Sequence, residues 1–259
     1  MKNIFKKYTV PFAICTMMIV TLVSSCAKDD YYIDGGKSDP VFNGTVLQYL
    51  QSNDKFDTIA QIVKLAGLED VFNKEDITFF APTDEVVRRT IGLVNTNVPN
   101  MGNRLNQELY NQNKDTIKVL SDVPTEIWRR YLLKYVFKGK LRLKDYPQLD
   151  FDLRALFPGA YYQGYNGDLA NIGVVYNEVN GVKYTGYRQL SFSTLPDPSN
   201  PQQLNSAAVA TSDIQPTNGV VHVLAVFYGP EKIGGVFHQE AANRFGLGYD
   251  FARDVVLSK

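Results

Sequence analysis

Apolar residues first recur at helical spacing between positions 56 and 66, where Phe56, Ile59, Ile62, Val63 and Ala66 make one stripe. Asp54 precedes that stripe as an N-cap, and Gly67 follows where a C-terminal cap belongs. Leu68, Val71 and Phe72 continue as a short second element. The run Ile77-Thr78-Phe79-Phe80 has strand character, and Ala81-Pro82-Thr83-Asp84 breaks it. Thr83 and Asp84 are placed to cap the next helix, whose apolar face holds Val86, Val87 and Ile91. Residues 95–115 are rich in Asn and Gln and read as a polar insertion with one helical turn around Leu105 and Leu109. Asp122 or Thr125 opens a stronger helix, with Pro124 in its tolerated first turn and the stripe Trp128, Tyr131, Leu132, Tyr135 and Val136.

After Gly139 the period shortens to that of strands. Leu141 and Leu143 alternate with charged residues, and residues 157–168 read as loop. Residues 172–179 and 182–192 are two β runs split by Asn180-Gly181, a dipeptide suited to a type I′ hairpin turn. A two-residue turn there sets Val179 opposite Val182, Glu178 opposite Lys183, Asn177 opposite Tyr184 and Tyr176 opposite Thr185. Alternation then places Val175, Val179, Val182 and Tyr184 on a core face. Tyr176, Glu178, Lys183, Thr185 and Tyr187 share the solvent face, with Tyr176 and Tyr187 as diagonal neighbours. Pro196, Pro198 and Pro201 mark a loop. Residues 207–211 and 220–228 are the last strands, the second apolar on both faces and therefore central. The segment from Glu231 onward carries Gly234-Gly235 and no decisive period.

The N-terminus has a different character. Lys2, Lys6 and Lys7 precede a largely apolar stretch at 10–23, shorter than the roughly 20 residues of a membrane span and proportioned like a signal peptide. Leu22-Val23-Ser24-Ser25-Cys26 resembles the lipobox of bacterial lipoproteins, which implies a leader at 1–25 and lipid on Cys26, anchoring the chain in a membrane. Lys28-Asp29-Asp30 resembles the export tag that sends some Gram-negative lipoproteins to the exterior of the outer membrane; the plainer reading is a solvated tether over 26–41. Losing Lys2, Lys6 and Lys7 with the leader leaves 24 basic against 27 acidic residues, a formal −3. That balance gives no reason to expect a nucleic-acid partner. Cys15 and Cys26 are the two cysteines, so neither a disulfide framework nor a cysteine zinc site is available to the mature chain.

Three blocks carry a family resemblance. Thr78-Phe79-Phe80-Ala81-Pro82-Thr83-Asp84-Glu85-Val86 resembles the first signature block of fasciclin domains, and Asn218-Gly219-Val220-Val221-His222-Val223-Leu224, ending at Gly229-Pro230, resembles the second. Leu132-Leu133-Lys134-Tyr135-Val136 is similar to the central block, with Val136 where many members have histidine. The resemblance covers about 42–230. It implies an α+β fold, a β-sandwich or wedge flanked by helices, with insertions at 95–124 and 145–205 and a C-terminal tail at 231–259. It also implies adhesion or matrix and carbohydrate interaction, with no catalysis and no cofactor. The departure at Val136 weakens any transfer of adhesion roles ascribed to the central block.

Candidate chemistry outside those blocks is sparse. His222 shares parity with Val220 and Leu224 and reads as a hydrogen-bonded core histidine; His238 has no visible partner. Asp145, Asp150 and Asp152 lie close together around Pro147 but lack the glycine-punctuated loop of a calcium site. No nucleophile elbow, phosphate loop or dinucleotide fingerprint occurs. Six of the sixteen tyrosines fall between 161 and 187, which makes the face of Tyr176, Glu178, Lys183, Thr185 and Tyr187 the candidate platform for a glycan or a protein partner. Burial of the rings under an insertion is the competing reading. The expected function is a lipid-anchored surface binding or adhesion protein. The alternative is an accessory lipoprotein of an outer-membrane transport complex for polysaccharide uptake.

Overall fold

The computed structural model describes residues 40–197, 199–227 and 231–259. The leader at 1–25, the lipid site at Cys26 and nearly all of the tether lie outside the described residues, as do Pro198 and the Gly229-Pro230 end of the second block. Helices α1 (Val46–Gln51), α2 (Asp57–Leu65) and α3 (Glu69–Lys74) precede β1 (Ile77–Ala81), and α4 (Asp84–Ile91), α5 (Leu105–Asn111) and α6 (Thr125–Leu132) follow it. The chain then turns to β2 (Val136–Lys138), β3 (Ala160–Gln163), β4 (Leu169–Tyr176), β5 (Arg188–Thr194), β6 (Asn205–Ile214) and β7 (Gly219–Leu224). A hairpin of β8 (Glu231–Ile233) and β9 (Val236–His238) and a last helix α7 (Asp250–Ser258) complete it.

The first seven strands form one mixed sheet in the order β2-β1-β7-β6-β5-β4-β3. Only β1 and β7 run parallel, with Ile77 opposite Gly219 and Ala81 opposite Val223. The two edges approach each other, since Tyr165 N, just after β3, donates to Val136 O at the start of β2 at 2.7 Å. The result is the expected α+β wedge. β7 is central and buried, as its two apolar faces require. The main core stacks Phe80 on Phe192 with ring centroids 4.6 Å apart, and Trp128 packs on Phe245 and Phe251. The segment from 231 on therefore shares this core through Phe245, Phe251 and Val255.

Both signature blocks are spent on joining distant elements. Asp54 does not cap α2; Phe56 occupies that position without a side-chain bond. The cap comes from the first block, where Asp84 Oδ2 accepts from Thr58 N at 2.9 Å and Oδ1 from Ile59 N at 3.1 Å. Burial pushes the Asp84 carboxyl above its usual pKa even with these donors beside it. Thr83 stands at the N-cap of α4, but its hydroxyl makes no capping bond. In the second block, Asn218 Oδ1 accepts from Val46 N at 2.8 Å in the first turn of α1. Its Nδ2 donates to Phe72 O and Glu75 O at the end of α3. Gly219 is required by proximity, because a Cβ there would sit 2.6 Å from both Ile77 O and Val46 Cγ2.

Other sequence expectations need correction. Tyr135 and Val136 lie outside the α-helix: a 3-10 turn over Leu133–Tyr135 takes over, and Val136 opens β2 opposite Phe79. Pro124 is the N-cap of α6, not part of its first turn. Leu141 and Leu143 are not in a strand, whereas residues 160–163, read as loop, form β3. Segment 147–149 occupies the edge of β4 beyond the end of β3, where Leu149 N donates to Val174 O at 2.9 Å and Val174 N to Pro147 O at 2.8 Å. Gly173 permits this strap to lie close, since a Cβ there would meet Leu149 Cβ and Pro147 O. Leu149, Val175, Ala208, Ala225 and Val236 then make a second, small core on the outer face of the sheet.

Candidate functional site

The outer face carries a cleft of about 660 Å3. One wall is the strap at 149–152, one is the end of β4 with the loop that follows it, and one is the β8–β9 turn with Lys232, Gly234, Gly235 and Phe237. The loop begins as its sequence demands. Asn180 and Gly181 have φ of +52° and +78°, and Val179 pairs with Val182. The register beyond that pair differs from the expected one. Tyr176 stands opposite Arg188, Asn177 N donates to Tyr187 O at 3.0 Å, and Gly186 N donates to Asn177 O at 2.7 Å. Residues 184–186 are thus extra on the second strand. The excursion starts at Tyr184, whose φ of +67° turns the chain away from its partner, and closes at Gly186, where a Cβ would sit 2.8 Å from Asn177 O.

The excursion redistributes the candidate platform. Tyr176, Glu178, Lys183 and Tyr187 all line the cleft. Thr185 does not, and its Oγ1 donates instead to Val182 O at 2.9 Å. Tyr176 is not an open stacking surface on both sides: it packs at the margin of the main core, and the Arg188 guanidinium lies 3.7 Å from its ring centroid. Tyr187 is 56% exposed. Val179 and Val182, expected in the core, are 43% and 57% exposed at the hairpin tip. Tyr184, also expected inward, turns to the strap, where its hydroxyl donates to Asp150 Oδ2 at 2.8 Å and its ring meets Phe157.

The strap and the β8–β9 turn supply residues that the sequence pattern did not single out, chiefly Phe151, Phe237 and Lys232. Asp150 ties the strap together. Partial burial raises its carboxyl, but hydrogen bonds from Tyr184 Oη, Asp152 N and Leu153 N outweigh that and hold its pKa below the usual carboxylate value. The same bond pushes the Tyr184 hydroxyl up. Asp145 accepts from Arg142 N, and no group of three or more His, Cys, Asp or Glu able to hold a metal occurs among the described residues. The charges lining the cleft are Asp150, Asp152 and Glu178 against Lys183 and Lys232, one net negative. The site thus offers flat aromatic faces, tyrosine hydroxyls and little net charge.

Both histidines are structural. His222 Nδ1 accepts from Asp213 N at 3.2 Å, and its Nε2 donates to Leu141 O at 3.0 Å. His238, expected without a partner, accepts at Nδ1 from Ala208 N and donates from Nε2 to Asn243 Oδ1.

The family model of the fasciclin domain matches residues 54–227. The chain belongs to the fasciclin family. The chain is also similar to a solved FAS1 domain pair from the insect cell adhesion molecule fasciclin I, at 14% identity and a TM-score of 0.38. That likeness covers 70% of this chain and 49% of the other, so this chain spans about half the length of that structure. None of the curated proteins compared with the chain matches it. The third wall of the cleft comes from residues beyond the matched region.

Proposed function

We propose that this fasciclin chain is a lipid-anchored surface binding protein, not an enzyme, that seats a glycan in the cleft over β4. The observation that carries the reading is the convergence of Phe151, Tyr176, Tyr184, Tyr187 and Phe237 on one cleft of low net charge. Flat rings with hydroxyl handles suit the apolar faces and edges of sugar rings. Replacing Tyr187 with alanine is expected to weaken binding of a soluble polysaccharide about tenfold, by analogy with the energies of aromatic contacts. Its side chain is exposed, so the melting temperature should hold. Calorimetry of the mature chain against a polysaccharide panel tests this, and unchanged affinity would argue against the aromatic face.

The anchor is supported by Leu22-Val23-Ser24-Ser25-Cys26. Cys26→Ala is expected to move the protein from the detergent to the aqueous phase on phase separation and to abolish metabolic labelling with fatty acid. A second reading, an accessory lipoprotein of an outer-membrane polysaccharide uptake complex, is favoured by the exposed Val179 and Val182 at the hairpin tip, which offer a protein contact beside the cleft. Co-purification with a membrane transporter, lost on Val182→Ser, distinguishes it.

A further inference from the structure

We propose that Gln189 and Tyr187 form a polar subsite beneath the Gly234–Gly235 turn that takes a hydroxyl group of a neutral glycan seated in the cleft. The inference rests on the glycan reading above and narrows it to a chemical class.

Gln189 follows the first residue of β5 and is 8% exposed. Its Nε2 donates to Val209 O at 3.3 Å, while its Oε1 is buried with no hydrogen-bond partner. A buried carbonyl oxygen left unpaired is costly, and native structures keep few of them without a reason. The Tyr187 hydroxyl next to it makes no hydrogen bond to the described residues, although its ring lines the cleft.

Both oxygens converge on Gly234. A Cβ at that position would collide with Gln189 Oε1 and Tyr187 Oη and would stand 2.9 Å from Asn177 Oδ1. Asn177 Oδ1 is already occupied, accepting from Gly235 N at 2.6 Å. The two unengaged oxygens therefore face one glycine, and that glycine is part of the cleft wall. Gly234 has φ of +61° and no side chain, and Gln189, which does not itself line the cleft, lies behind it, so this glycine must shift when the hydroxyl enters.

The chemistry of the pair selects its occupant. A carboxamide oxygen only accepts, while a phenol both donates and accepts. A sugar hydroxyl satisfies both at once: its O–H donates to Gln189 Oε1 and its oxygen accepts from the Tyr187 hydroxyl. A carboxylate or sulfate has no proton for Gln189 Oε1 and would be repelled by it. An ammonium could donate to both oxygens but would leave the proton of the Tyr187 hydroxyl unused. A site built around a hydroxyl discriminates against groups that leave its buried oxygen unpaired.

The test uses the purified lipoprotein in detergent with arabinoxylan, xyloglucan and mannan as neutral probes and hyaluronan and polygalacturonan as anionic ones. The wild type is expected to bind at least one neutral polysaccharide. Gln189→Met and Tyr187→Phe should each weaken that binding about tenfold, the size of one well-placed hydrogen bond. Gln189→Met also removes the bond to Val209 O and is expected to lower the melting temperature, whereas Tyr187→Phe should weaken binding with the melting temperature unchanged, which a merely structural pair would not give. Should Gln189→Met fail to fold, Tyr187→Phe at an exposed ring carries the test alone. Wild-type binding that survives both changes overturns the subsite and leaves the glycan reading standing. Binding confined to the anionic probes overturns the hydroxyl assignment. No binding to any of the five removes the glycan reading and the subsite with it.

Discussion

Asn218→Ala is expected to cost about 3–5 kcal/mol of folding stability, because it strips partners from three backbone groups at once, two of them in buried bonds. Val46 N loses its acceptor, and Phe72 O and Glu75 O lose their shared donor. Alanine fills none of these roles, and water has no ready path to a residue 9% exposed. Asn218→Asp separates the contributions. It keeps the acceptor for Val46 N but turns a second oxygen toward the two carbonyls, so it should be no milder than alanine. Urea unfolding of the mature chain gives the difference directly. A loss below about 1 kcal/mol for alanine, the worth of a single ordinary hydrogen bond, would mean that the α1–α3 junction holds without this side chain.

Acidification is the second large effect. Burial lowers the pKa of His222 from 6.5 to about 4, with the bond to Leu141 O and the nearby Asp213 carboxylate opposing the shift. Burial also lowers the pKa of His238, and the Arg89 guanidinium adds to it against Asn243 and Glu240. Each Nδ1 accepts a backbone N–H, so protonation there breaks a buried bond. Below pH 6.5 the unfolded chain binds more protons at these positions than the folded one, so stability falls as pH falls. For His222 the loss runs from pH 6.5 to about 4 and amounts to about 3 kcal/mol at its end. The groups facing His222 are Asp213, with its Oδ1 3.9 Å from Nδ1, and the rings of Tyr146 and Phe80. Denaturant midpoints between pH 7 and 4 should drop steeply in the wild type and less in His222→Gln. Parallel curves for the two proteins would remove His222 from the acid response.

Local pattern disclosed what local physics controls. The α2 stripe, the buried strand at 77–81 and the positive φ values at Asn180-Gly181 follow from periodicity and turn chemistry within a few residues. What the sequence did not disclose depends on partners far along the chain. Nothing near α2 shows that its cap is Asp84, and nothing in Asn218 as a turn residue shows that its side chain holds two helices. The geometry of the candidate platform was legible only in part, for a similar reason. A tyrosine at φ +67° carries no sequence signal, since that conformation is the province of glycine and asparagine. The excursion it starts moved Thr185 away and brought Tyr184 to the strap. The tail escaped assignment because its apolar residues match a core made by other segments, Trp128 above all.

The parallel pairing of β1 with β7 has a consequence for the order in which the molecule is made. Residues 77–81 are an apolar strand whose one neighbour, β2, covers three residues, and whose other neighbour spans 219–223. Until the last strand of the sheet has left the ribosome, Phe79 and Phe80 have no complete pairing, however long the preceding chain has waited. Contacts of such sequence separation form slowly and leave edges open to other chains in the meantime. The burden of keeping this protein from aggregating thus falls on its unfinished state, and whatever handles the chain before completion must keep that strand from pairing elsewhere.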